Sequence, residues 1–332
     1  LGFERKGAKG AVTNDGVIKR LMPDVEVLLE TMATMDIPLF ESMSAADARA
    51  FGETMNAGRP AGPEVGEMVD GTLPGADGKP LEYRVYRPKS KGPHPVVVYY
   101  HGGGWVLGSQ VSDEPMIRDL VDRSDALIIS VNYRHAPEVK FPAAADDAFA
   151  ALKWVADHVS ELGGIPGKLA VAGWSAGGNL AAVVSQLARD NGGPALSGQL
   201  LLTPVTDGSR KWPSYTGNGA GYILTEPLMD WFWDHYATPE QRKDPKASPL
   251  LAKSLAGLPP ATVITAEFDP LRDEGNAYAE ALTKAGVKVK HLPARGHMHT
   301  SVSMVDVLPS GAPVRAEMAA AIRGFFGATV PA

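Results

Sequence analysis

Apolar positions in the first sixty residues recur with a helical period. Within Asp24–Met35, Val25, Leu28, Leu29 and Met32 fall at i, i+3, i+4 and i+7, on one face of a helix punctuated by Pro23 and Pro38. Ser44, just before Ala-Ala-Asp-Ala-Arg, reads as the N-cap of a second helix. The Gly/Pro-rich stretch Gly58–Pro63 breaks this rhythm. Beyond it the period drops to two. Glu64–Asp70 and Leu81–Arg87 alternate on either side of a turn-rich stretch holding Asp77–Gly78, which predicts an antiparallel pair at a sheet edge.

Continuous apolar runs follow at Pro95–Tyr100, Ala126–Tyr133, Lys168–Ala172, Gln199–Leu202 and Ala261–Ala266. Continuous apolarity belongs to strands covered on both faces, as in a parallel sheet. Helical stretches at Ala143–His158, Ala176–Asp190, Asp273–Ala285 and Ala312–Phe326 separate most of the runs. The alternation predicts an α/β fold, a doubly wound and mostly parallel sheet with helices on both faces. One segment, Asp207–Pro249, interrupts it with seven aromatic residues: Trp212, Tyr215, Tyr222, Trp231, Phe232, Trp233 and Tyr236. It is too long for a connecting loop, and Glu226–Tyr236 reads as a helix capped by Thr225. An insertion after a strand lies at the sheet's C-terminal edge, where ligands bind, so the simplest reading is a lid.

Composition narrows the function classes. The chain has 332 residues, 44% of them hydrophobic, enough for one large core or a core with a smaller lid. The formal net charge of -6 gives no basic field for nucleic acid. With no cysteine, disulfides, thiolate catalysis and zinc–thiolate sites are excluded. No apolar run reaches the roughly 18 residues of a membrane span. Leu1–Arg20 has no apolar core of a signal peptide, so a cytoplasmic location is the expectation; a start at Leu1 rather than Met fits a trimmed chain.

Four stretches carry chemistry. Gly173-Trp-Ser175-Ala-Gly177 is G-x-S-x-G between a predicted strand and a predicted helix. There a serine is either a simple helix cap or a nucleophile on a sharp turn, with glycines relieving the crowding and free N–H groups of the helix nearby. A dinucleotide-binding loop would need a bare glycine where Ser175 stands. His101-Gly-Gly-Gly-Trp105 follows a strand and leaves backbone N–H groups open, as an oxyanion hole requires. A serine nucleophile also needs a base and an orienting carboxylate. Asp269 and Asp273 follow a strand end, Asp273 fitting better as a first-turn acid of the next helix. His297 and His299 lie on the turn Arg295-Gly-His-Met-His after the strand-like Val287–Leu292. His297-x-His299 could pair on a metal, but without cysteine or a third ligand no metal or other cofactor is expected.

Together these stretches resemble the bacterial members of the hormone-sensitive lipase family of α/β-hydrolase esterases. The resemblance rests on His101-Gly-Gly-Gly-Trp105, Asn132-Tyr-Arg-His-Ala-Pro-Glu138 with Phe141-Pro-Ala-Ala, Gly173-Trp-Ser-Ala-Gly-Gly178, Ser248-Pro-Leu250, Leu258-Pro-Pro260 and Asp269-Pro-Leu-Arg-Asp-Glu-Gly275. It implies an eight-stranded core with a helical cap: N-terminal cap helices in 1–60, core in 61–206, cap insertion in 207–245 and core again in 246–332. It implies Ser175 as nucleophile, Asp269 as acid and His299, in Gly296-His-Met-His299, as base, with the N–H groups of Gly103, Gly104 and Ala176 as oxyanion donors and no metal.

The implied activity is hydrolysis of short- to medium-chain carboxylic esters through an acyl-enzyme. The alternatives are a same-fold hydrolase of amides, lactams or acetylated sugars, or a binding protein of the kind that lacks the histidine. The partner is a small-molecule ester, and a homodimer formed at the sheet edge is compatible with the family. Trp105, Trp174 and Tyr222 are the candidate pocket residues. Two positions depart from the family's pattern: Trp174 replaces the usual Asp or Thr, and Thr300-Ser301 replaces Gly-Phe after the histidine. Both bear on substrate preference rather than on the reaction. A ring at Trp174 either packs beneath the elbow or lines the pocket, and its emergence from a buried strand favours packing.

Overall fold

The computed structural model describes residues 20–327. The start of the N-terminal segment, and with it the signal-peptide reading, lies outside those residues. Eight strands form one sheet: β1 Glu67–Pro74, β2 Pro80–Arg87, β3 His94–Tyr100, β4 Leu127–Val131, β5 Gly164–Trp174, β6 Gln199–Leu202, β7 Ala261–Phe268 and β8 Val289–Met298. Their order is β1-β2-β4-β3-β5-β6-β7-β8. β1 and β2 pair antiparallel at one edge, β2 is antiparallel to β4, and the remaining pairs are parallel.

The continuous apolar runs have the cause that the sequence pattern predicts. In β3, Val96, Val98 and Tyr100 face one core, while Val97 and Tyr99 face the other. The first core packs under α4 (Ala143–Asp157), α5 (Ala176–Asp190) and α8 (Arg272–Lys284). The second packs under α3 (Glu114–Ser124) and α9 (Ala312–Phe325). α3 was not among the predicted helices, although Met116, Ile117, Leu120 and Val121 make a helical stripe and all four are buried.

Two helical groups lie beside this sandwich. α1 (Pro23–Ala33) and α2 (Ala45–Ala57) precede the sheet, with Ser44 capping α2 by accepting from Asp47 N–H at 3.1 Å. α6 (Pro213–Asn218) and α7 (Glu226–Tyr236) occupy the aromatic insertion, with Thr225 capping α7 through Leu228 N–H at 3.2 Å. α1 docks beside the end of β8: Met22 N–H donates to Gly296 O at 2.9 Å, and Asp24 accepts from Ser310 N–H at 2.9 Å. α2 is fastened by Arg49, which donates to Val106 O and Ala136 O at 2.7 Å each and pairs with both oxygens of Glu138.

Several strand boundaries differ from the pattern; β5, for one, begins at Gly164 rather than Lys168. β1 begins later than Glu64, in register with β2 from Glu67↔Arg87 to Pro74↔Pro80. β8 runs to Met298, so His297 sits in the strand rather than on a turn. The strand survives a kink at Gly296 (φ +73°), whose N–H donates to Glu267 at 2.9 Å, and it then re-pairs at Phe268↔Met298.

Candidate active site

Ser175 stands between β5 and α5 with φ 56° and ψ -117°. Such a backbone costs on the order of 1–3 kcal/mol for a residue with a side chain, so the surroundings must hold it. Ser175 N–H donates to Leu202 O at 2.9 Å, and its carbonyl accepts from Asn179 N–H at 2.9 Å. The flanking glycines cannot be anything else without movement: a Cβ on Gly173 would lie 2.1 Å from Gly177 O, and one on Gly177 would lie 1.9 Å from Tyr100 O. Ser175 occupies the N-cap position of α5, yet its hydroxyl makes no capping bond.

The hydroxyl meets a histidine instead. His299 follows β8, and its Nε2 lies 2.9 Å from Ser175 Oγ, while its Nδ1 lies 2.7 Å from Asp269 Oδ2. Asp269 follows β7 and is held from behind: its Oδ1 accepts from Leu271 N–H at 2.9 Å, and its carbonyl accepts from the Asn218 amide at 3.1 Å. A carboxylate only accepts, so His299 carries its proton on Nδ1 and turns a lone pair at Nε2 toward the serine hydroxyl. Three residues far apart in sequence thus form one chain of hydrogen bonds, all of it shielded. Ser175 is 7% exposed, His299 5% and Asp269 0%.

Asp273 sits in the first turn of α8, beside Arg272 at 2.9 Å. His297 is buried apart from the serine, its Nδ1 2.9 Å from Ser301 Oγ, and burial pushes its pKa down. That hydroxyl also accepts from Met298 N–H and donates to Met298 O, so His297 braces the turn that carries His299.

The glycine turn after β3 has Gly103 at φ 109° and Gly104 at φ 59°. Its approach is held by side chains. Gly102 N–H donates to Asp113 at 3.1 Å, Asp113 also accepts from Tyr99 OH at 2.7 Å, and Tyr133 OH donates to His101 O at 2.9 Å. Nothing in the sequence marks Asp113, Tyr133 or Arg49 for this role, and His135, which by sequence looks like a loop, surface or strand-end residue, is half-buried against His101. Only Tyr133 and His135 lie in a motif, and motif membership did not say what they touch.

Among the candidate pocket residues, Trp105 is fully buried. Its ring stacks on Tyr236 of α7 at 4.2 Å and packs against Trp233 at 4.7 Å, leaving no face exposed. Trp174 is half-buried on the α3/α9 side, 5.8 Å from the His299 ring, and Gly102 fits against it only because it has no Cβ. Tyr222 is half-buried 5.3 Å from Phe268, the residue before Asp269. From α7, Phe232 covers Gly104 so closely that a Cβ there would lie 2.2 Å from its ring.

Among the described residues, no group of three or more His, Asp or Glu could hold a metal ion, and no helix is long and apolar enough to cross a membrane.

Known proteins carry the same architecture. A family model described as alpha/beta hydrolase fold matches residues 97–303. The chain is 44% identical over 254 residues to the carboxylic ester hydrolase LipN of Mycobacterium tuberculosis, covering 74% of this chain and 66% of that protein. It is 39% identical over 248 residues to an ethyl acetate hydrolase of Pseudomonas putida, covering 73% and 77%. Its structure matches that of a thermostable esterase from Pseudomonas putida with a TM-score of 0.88 and 39% identity, over 93% of this chain and 99% of that one. The chain belongs to the hormone-sensitive lipase family of α/β-hydrolase carboxylesterases.

Proposed function

We propose that the protein hydrolyses short- to medium-chain carboxylic esters, with Ser175, His299 and Asp269 as its catalytic residues. The observation that carries this reading is His299 standing between Ser175 Oγ at 2.9 Å and Asp269 at 2.7 Å. His299 Nε2 takes the hydroxyl proton as Ser175 Oγ attacks the ester carbon, and Asp269 stabilises the imidazolium that forms. The carbonyl oxygen becomes negative and is met by the N–H groups of Gly103, Gly104 and Ala176. The C–O bond to the alcohol then breaks, and His299 returns the proton to the leaving oxygen. In the second half, water gives a proton to His299 and attacks the acyl carbon. The acid departs, and Ser175 regains its proton.

Substrate size follows from what covers the serine. α1 and α2 on one side and α6 and α7 on the other make a cap, and Phe232, Trp174 and Tyr222 put aromatic surface around a closed site. Aromatic surroundings of a buried serine favour small, water-soluble esters over long lipids. A hydrolase of ethyl acetate among the relatives supports the short end of that range. The test is a series of p-nitrophenyl esters from acetyl to palmitoyl, measured on the wild type and on Ser175→Ala. The expected result is a kcat/KM maximum between two and eight acyl carbons, and no hydrolysis by the variant. Equal rates on palmitoyl would refute the size argument.

A further inference from the structure

Two histidines behind the glycine turn take no part in the proposed chemistry. His101 is fully buried, and its Nδ1 lies 2.7 Å from the carbonyl oxygen of Gly102. A carbonyl only accepts, so that nitrogen carries the proton, and a neutral ring is left with a lone pair at Nε2. The Nε2 of His135 lies 3.4 Å from it, at the long end of hydrogen bonding. Tyr133 sets both ring planes: it stacks flat on His101 at 4.4 Å and meets His135 edge-on at 5.3 Å. Gly108 makes room for this arrangement, since a Cβ there would lie 2.7 Å from His101 Nδ1.

Both rings are held neutral. Burial lowers the pKa of His101 against the opposing pull of Asp113, Gly102 O and Asn132. Burial, the His101 ring and the Arg49 guanidinium push His135 down to about 3, against the opposing pull of Glu138. Two neutral rings facing each other through Nε2 cannot both present lone pairs or both present protons. With the His101 proton fixed on Nδ1, His135 supplies the hydrogen between them.

The Gly102 carbonyl and the Gly103 N–H belong to one planar peptide unit and point in opposite directions. Gripping the carbonyl therefore aims the N–H. We propose that His135 is a positioning residue for the oxyanion hole: it donates from Nε2 to His101, fixes the ring that holds the Gly102 carbonyl, and so orients the Gly103 N–H toward the developing negative charge. This rests on the reading of Gly103 as an oxyanion donor.

The experiment compares His135→Leu, His135→Phe and His135→Gln with wild type on p-nitrophenyl butyrate, alongside inhibition by an alkyl boronic acid that forms a tetrahedral adduct. Leu and Phe remove the donor, Phe keeps a ring against Tyr133, and the Gln amide can still donate. The expected result is that Leu and Phe lower kcat about tenfold, less than loss of a whole donor. KM stays within about twofold and boronate affinity falls in parallel, while Gln stays within about threefold of wild type in both. If Leu does not fold, Phe and Gln decide. The inference is overturned if a donorless variant keeps wild-type kcat, or if Gln is as impaired as Phe with losses that track thermal stability. Ser175→Ala in the same series separates the two levels. Hydrolysis surviving in that variant defeats the triad reading itself, whereas a dead Ser175→Ala beside fully active His135 variants defeats only this inference.

Discussion

Two glycine-rich turns meet at this site, and they are held in different ways. The elbow at Ser175 is fixed by backbone. Gly173 and Gly177 lie against the peptide oxygens of Gly177 and Tyr100, and the strained serine is tied to β6 and α5 through its own N–H and C=O. The turn at Gly102–Gly104 has backbone support at Gly103, whose carbonyl accepts from Val106 and Leu107 N–H at 3.1 and 2.8 Å, but it also leans on side chains that arrive from elsewhere: Asp113 before α3, Tyr133 and His135 after β4, and Phe232 from α7. A turn pressed against backbone admits only glycine at Gly173 and Gly177, so it is written into local spacing. A turn locked by visitors depends on the rest of the fold, and it tolerates change more gradually.

The sharpest break in the elbow's chemistry is His299→Ala, set against His297→Ala. The first removes the proposed base and should lower kcat by about 10,000-fold or more. The second only loosens the Ser301 turn and should cost less than about tenfold, with a lower melting temperature. Steady-state kinetics on a short aryl ester read both. The reverse ranking would move the base to His297.

Gly177→Ala against Gly102→Ala compares the two turns directly. The added methyl at residue 177 meets backbone, the Tyr100 carbonyl at 1.9 Å, and nothing soft can yield. Activity should fall about 1,000-fold with a clear loss of thermal stability, a rigid overpacking effect. At residue 102 the obstacle is the Trp174 ring at 2.5 Å, a side chain that can swing aside, so about a tenfold loss is expected. Equal losses would erase the distinction between the turns.

Asp113→Ala tests the visitors. It strands the Gly102 N–H and the Tyr99 hydroxyl, and unsatisfied buried groups cost about 1–3 kcal/mol in stability. The glycine turn should loosen as well, lowering kcat about tenfold while KM holds, because oxyanion donors act in the transition state.

The last effect is on stability against pH rather than on activity. His135 is pushed down to about 3 from its ordinary 6.5, so between those values the unfolded chain binds a proton that the folded chain refuses. Stability therefore falls as pH drops through that window, by at most about 1.4 kcal/mol per pH unit from this group. His135→Gln should make the acid limb of a stability–pH curve shallower, and an unchanged slope would show that His135 is not held neutral.

The sheet was legible because doubly covered strands leave continuous apolar runs; Gln199–Leu202 and the helix Ala176–Asp190 appear with the limits the pattern predicts. α7 was legible from Thr225 as its cap and the aromatic stretch Glu226–Tyr236 that follows. The end of β8 was not, because it is polar and its kink at Gly296 is fixed by Glu267, a partner 29 residues away. At the site, Ser175 and the glycine turn were marked by local spacing, whereas choosing His299 over His297 needed the family's Gly-x-x-His pattern. Geometry now places the two rings in different company, one beside the serine and one behind the turn. No local pattern could show that Asp113 holds Gly102 or that His135 faces His101, since those contacts exist only once β3, β4 and α3 are packed.

In the proposed mechanism Ser175 carries the acyl group between the two half-reactions. Rapid acid quench of the enzyme with p-nitrophenyl butyrate, followed by peptide mass spectrometry, tests it most directly. A butyryl adduct is expected on the peptide containing Ser175, formed within one turnover and absent in Ser175→Ala. An adduct on another residue, or turnover by Ser175→Ala at the wild-type rate, would contradict it.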